Sequence, residues 1–128
     1  MTTLTLAVPY DRPPLTANQR MHYMQRARLT RALRDGANTA VKAASTPEQR
    51  ASWPLPRVRV QLVWNVTDRR RRDEDNIVPT LKPICDGLVD AGVVPDDTPE
   101  YMEKAMPLIV LREKGCPSLI PVQVIITT

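Results

Sequence analysis

With 128 residues, 42% of them hydrophobic, the chain is long enough to bury a core, and a single domain over 1–128 is expected. The two cysteines, Cys85 and Cys116, have neither metal-ligand nor disulfide-scaffold spacing, and no window approaches the roughly 20 apolar residues of a membrane helix; a soluble protein of the reducing cytoplasm is expected. The 18 Lys and Arg exceed the 14 Asp and Glu by only +4, so the charge matters for its placement, on Arg20 to Arg34 and on Arg69 to Arg72.

Leu4, Leu6 and Val8 alternate with Thr3, Thr5 and Ala7, which predicts a strand that Pro9 ends. Tyr10 to Ala17 reads as a turn, because Pro13 and Pro14 keep their neighbours out of helical dihedrals. From Asn18 to Ala44, Met21, Met24, Ala27, Leu33, Ala37, Ala40 and Val41 recur at helical spacing and predict one amphipathic helix, with Gly36 inside it. His22 has no carboxylate or cysteine near it in sequence and reads as a surface or interface side chain. Ser45 to Pro56, with Pro47, Pro54 and Pro56, is expected to be a surface loop.

Val58, Val60, Leu62, Trp64 and Val66 then alternate with Arg57, Arg59, Gln61, Val63, Asn65 and Thr67, the clearest strand in the sequence and the expected centre of the sheet. It delivers the chain to Asp68 and the arginines, so Asp73 and Asp75 emerge at the end of a rigid element. Two prolines complicate the next helix. With Thr80 as N-cap, Pro79 stays outside and Pro83 falls at the third helical position, where its missing amide has no intrahelical partner to lose. The helix then spans Leu81 to Ala91, Gly92 follows as its C′ residue, and Val93 to Thr98 form a loop carrying Asp96 and Asp97. Leu108 to Leu111 suggests a strand that Pro107 places at an edge or strand start. Glu113 to Pro117 is a turn, and the alternation of Val122, Val124 and Ile126 predicts a last strand in a hairpin with the preceding one. The order of elements implies α+β: a small mixed sheet with helices packed on it.

Asp73, Glu74, Asp75 and Asn76 directly follow Arg69, Arg70, Arg71 and Arg72. Crowded carboxylates repel one another, so such a cluster persists where a cation neutralises it, and a divalent metal is the simplest candidate. The arginines suit a polyanion such as a nucleic-acid backbone. A calcium loop counted from Asp73 fails, with Val78 at the glycine position and Ile84 at the final glutamate position. Metal beside phosphate is the chemistry of a nuclease; the rival from another class is a non-catalytic DNA-binding module whose acidic cluster is structural.

The series Arg-Arg-Arg-Arg-Asp73-Glu74-Asp75-Asn76, then Lys82-Pro83-Ile84-Cys85-Asp86-Gly87-Leu88, Gly92 and Asp96-Asp97 resembles the RusA family of Holliday-junction resolvases. That family's order is Asp-x-Asp-Asn, a lysine, Asp-x-Leu, Gly and Asp-Asp. The opening strand, Pro13-Pro14 and Asn18 are similar too. The resemblance implies a RusA-like α+β fold, a homodimer, Mg²⁺ as cofactor, four-way junction DNA as substrate and, in many cases, a phage source. It implies Asp73, Asp75 and Asp97 as catalytic metal ligands and Lys82 as the catalytic lysine. Arg69 to Arg72 are then read as DNA contacts and Asp86 as a partner behind the metal ligands. Ile77 to Leu81 separate Asn76 from Lys82, three residues more than the family usually has.

Overall fold

The computed structural model describes residues 2–128. Strands β1 (Thr3–Val8), β2 (Val58–Val66), β3 (Met102–Lys104), β4 (Leu108–Leu111) and β5 (Val122–Thr127) form one five-stranded mixed sheet, in the order β1-β5-β2-β3 with β4 also on β2. Helices α1 (Tyr23–Ala44), α2 (Pro47–Ala51) and α3 (Val78–Asp90) complete the α+β fold. β5 runs antiparallel between β1 and β2, while β3 and β4 pair in parallel with successive parts of β2, along the edge that β5 leaves open. The alternation of β2 therefore has the expected central place.

Register explains which face is covered. Leu6, Val124 and Leu62 lie in one cross-strand row and Leu4, Ile126 and Val60 in the next, so their side chains share a face. Against it pack Leu33, Ala37 and Val41 of α1 and Leu81, Ile84, Cys85 and Leu88 of α3. The other face carries Thr5, Gln61 and Gln123, which explains the polar half of the alternation. α3 approaches α1 closely at Gly87: a Cβ there would collide with the Arg34 carbonyl oxygen and lie 2.8 Å from the Ala37 Cβ.

Four expectations change. The last two strands do not form a hairpin. β4 and β5 lie on opposite edges of β2, and Asn65 fastens the connection between them, accepting from Arg112 Nε at 2.9 Å and donating to the Ile120 carbonyl at 2.8 Å and Gln123 Oε1 at 2.7 Å. Alternation buries one face of β5 whichever neighbour it has, so it left the partner open.

Thr80 is not an N-cap. A 3₁₀ turn, Glu74–Ile77, leads directly into α3 at Val78, and Pro83 lies within the helix. The Thr80 side chain is buried, donating to the Leu15 carbonyl at 2.7 Å and accepting from the Leu15 amide at 3.1 Å. The loop's need for a buried partner outweighs the capping preference. At the other end Gly92 has φ +88°; its amide bonds the Val89 carbonyl at 2.9 Å and the Val93 amide the Leu88 carbonyl at 3.1 Å, the Schellman pattern expected of a C′ glycine.

α1 starts at Tyr23, later than Asn18, because Asn18 is held elsewhere and His22 serves as the cap, its Nδ1 accepting from the Met24 amide at 3.2 Å. The loop between α1 and β2 contains α2, opened by a Thr46–Gln49 capping box. No helix among the described residues is long and apolar enough to cross a membrane.

Candidate functional site

Beyond Val66 the chain leaves the sheet and turns on Asp68. This carboxylate accepts the Arg70 amide at 3.0 Å and lies 2.9 Å from an Arg72 nitrogen. The amide, followed by Arg72, holds the Asp68 carboxyl below its ordinary range. Arg72 folds back: Nη1 donates to the Asp68 and Arg70 carbonyls, each at 3.2 Å, and its guanidinium sits 5.0 Å from the centre of the Trp64 ring. Only 16% of its side chain is exposed, so Arg72 braces the turn. Arg70 stays 84% exposed, and Arg69 and Arg71 are exposed with no ion-pair partner among the described residues. The arginine run thus divides into one brace and three solvent-facing cations.

Asp73 ends this extended stretch and its carbonyl accepts the Asn76 amide at 3.1 Å, which starts the 3₁₀ turn. The Asp73 and Asp75 carboxylates are exposed and form no ion pair among the described residues. Both line an open groove of about 970 Å³, together with Arg71, Trp64 and, from the N-terminal loop, Tyr10, Arg12 and Asn18. That loop is tied to the acidic turn: the Asn76 carbonyl accepts from the Ala17 amide at 2.8 Å, Asn76 Oδ1 from the Asn18 amide at 3.3 Å, and Thr80 holds Leu15. Asn76 and Thr80 therefore position the groove's far wall.

Along the continuous 3₁₀ and α segment, Ile77, Leu81, Ile84 and Leu88 are buried while Asp75, Val78 and Lys82 are exposed. The 3₁₀ and α steps between them set Asp75 and Lys82 about 12 Å apart along the axis. Lys82 Nζ donates to Asp86 Oδ1 at 2.8 Å, one turn on, and to Asp97 Oδ2 at 2.6 Å. The same Asp97 oxygen accepts from Lys104 Nζ of β3 at 3.0 Å. Lys82, then Lys104, hold the Asp97 carboxyl far below its usual range; Asp86, then Asp97, hold the Lys82 ammonium above its own. Beneath them Cys85 is packed in the core, and this burial pushes its thiol up to about 12.

The resemblance-derived residues thus fall into two groups. Lys82 meets Asp97, with Asp86 beside them; Asp73 and Asp75 share the groove. The three aspartates do not converge: among the described residues no group of three or more His, Cys, Asp or Glu is arranged to hold a metal ion. Asp73 and Asp75 nevertheless suit Mg²⁺, a hard cation held through one or two carboxylates, with water and substrate phosphates completing its shell. Lys104 was missed because β3 has only three residues and leaves no periodic signal. Thr80 was legible only as a helix start.

No family model matches the chain, and no curated protein matches it significantly.

Proposed function

We propose that this protein is a Mg²⁺-dependent, structure-selective endonuclease that resolves four-way DNA junctions by hydrolysing phosphodiester bonds. The observation that carries the reading is the groove itself, where Asp73 and Asp75, like Asp11 without ion-pair partners among the described residues, face the same space as Arg71 and Arg12. Carboxylates alone would repel a phosphate backbone, and arginines alone would need no acidic pair. Together they suit a phosphate presented to a cation. The motif resemblance to the RusA family adds the junction as substrate.

In this reading Asp73 and Asp75 hold the metal, which when bound activates water and offsets charge on the attacked phosphate. Arg69, Arg70 and Arg71 grip neighbouring phosphates, while Arg72 keeps the turn in place. Lys82 is the third part. Asp97, the further ligand implied by the resemblance, accepts from both Lys82 and Lys104, and Lys82 would offset the negative charge developing at the phosphate. A junction needs two opposed nicks and one chain carries one such groove, so the active unit is a symmetric dimer.

The rival, a non-catalytic DNA-binding module, draws on the Lys82–Asp97–Lys104 network, which neutralises that part of the acidic cluster internally. Incubation of a synthetic four-way junction with the protein and Mg²⁺, with linear duplex as control, separates the two. Paired nicks in the junction alone support the nuclease; binding without nicking supports the module. Sedimentation across a concentration series tests the dimer, and a monomer that makes paired cuts would refute it.

A further inference from the structure

Of the five aromatic side chains in the sequence, Tyr10, Trp53, Trp64 and Tyr101 pack against the core, whereas Tyr23 is 76% exposed. Exposure of a single apolar ring is ordinary, but this one is held in place. Tyr23 stacks on His22 with ring centroids 4.7 Å apart and planes at 28°, and His22 is fixed through its Nδ1 bond to the Met24 amide. Along the chain, the charge on either side of it has one sign. Between Asp11 and Asp35 the sequence has no carboxylate but contains Arg12, Arg20, Arg26, Arg28, Arg31 and Arg34. Arg31 pairs with Asp35 and Arg34 with Asp90, while the other four have no ion-pair partner among the described residues. The ring also follows directly on Asn18, Gln19 and Met21, which line the groove of Asp73 and Asp75.

We infer that this end of α1 is a nucleobase-stacking platform: Tyr23, braced by His22, receives an unstacked base of branched or single-stranded DNA while Arg20, Arg26 and Arg28 hold its phosphates. The inference rests on the reading of the groove as a DNA site and extends it to a part of the substrate away from the cleaved bond. Every base has a π face that an aromatic ring can stack on, whereas intact duplex keeps its bases stacked on each other. A second copy of the chain is the wrong occupant, since a two-fold contact centred on Tyr23 would set these arginines against their own copies.

The test measures binding, without divalent metal, of a four-way junction, a thymidine oligonucleotide and a blunt linear duplex. Tyr23→Ala should weaken the junction and the single strand by about 5- to 100-fold and leave the duplex unchanged, while Tyr23→Phe, which keeps the ring, binds like wild type. Arg20→Gln with Arg26→Gln should weaken all three and flatten the salt dependence. Wild-type binding of all three by Tyr23→Ala, an equal loss on all three, or a shift of that variant toward monomer in sedimentation would overturn the platform. Binding and cleavage separate the two readings. Wild type that binds but never nicks with Mg²⁺ defeats the nuclease alone, and wild type that binds none of the three defeats both.

Discussion

Two acidic clusters lie on one continuous helical segment and its flanks, and they are in opposite electrostatic states. Asp73 and Asp75 face a groove without ion-pair partners among the described residues, whereas Asp97 shares one oxygen between Lys82 and Lys104, and Asp86 takes Lys82 as well. An anion that has its cations needs no metal. An adjacent pair that lacks them suits one. Sequence places both clusters in a single motif, so only their partners tell the pair left without cations from the self-neutralised one.

The comparison breaks most sharply at the open pair. Asp73→Asn or Asp75→Asn should reduce junction cleavage by more than the roughly 10- to 100-fold that loss of an outer-shell partner costs, with metal-free junction binding unchanged. Rates under Mg²⁺ beside gel-shift affinities would show it. Next in size is a change to the helix that lies between the two clusters. Gly87→Ala drives a methyl into the Arg34 carbonyl and Ala37, and should destabilise the fold by about 1–3 kcal/mol in urea unfolding without altering the m-value.

The self-neutralised cluster should show itself in pH dependence. The lowered Asp97 carboxyl contributes stability that is present above the ordinary carboxylate value near 4 and is lost as pH falls through its depressed folded value. Lys82 has the opposite sign: its contribution is present below the ordinary lysine value near 10.4 and is lost as pH rises through its raised folded value. Urea melts of wild type and Asp97→Asn should therefore differ by a constant amount, at most about 1 kcal/mol because Lys82 is 60% exposed, from pH 7 down to about pH 4, and should begin to converge only below that. The smallest effects belong to the arginines. Arg71→Gln should flatten the salt dependence of DNA binding by about 0.9 for each phosphate it no longer neutralises. Arg72→Gln should leave that slope unchanged and cost stability of about 0.5–1 kcal/mol, because no guanidinium then lies over the Trp64 ring.

The elements with strong periodicity were legible from sequence: β1, β2, β5, the body of α1 and the glycine stop of α3 all follow from residues that bury one face or need a positive φ. What sequence left open was pairing and partnership. The alternation of Val122, Val124 and Ile126 predicts a strand but not that β1 and β2 flank it. Thr80 satisfies the capping preference on paper, yet its hydroxyl is taken by Leu15, 65 residues away in sequence. At the candidate site, the rigid strand leading to Asp73 and the loop carrying Asp97 after α3 were anticipated, whereas the contact between Lys82 and Asp97 was not. The division of the arginines was not, because Arg69, Arg70, Arg71 and Arg72 are identical in sequence and differ only in whether Asp68 and Trp64 lie within reach.

Calorimetric titration with Mn²⁺, a stand-in for Mg²⁺ with the same preference for carboxylate oxygens, tests the contrast between the two clusters most directly. Wild type should bind the ion, and Asp73→Asn with Asp75→Asn should lose that binding while the protein stays folded and still binds junction DNA. Equal Mn²⁺ binding by wild type and the double variant would contradict the account, since the open pair would then not be where the cation is held.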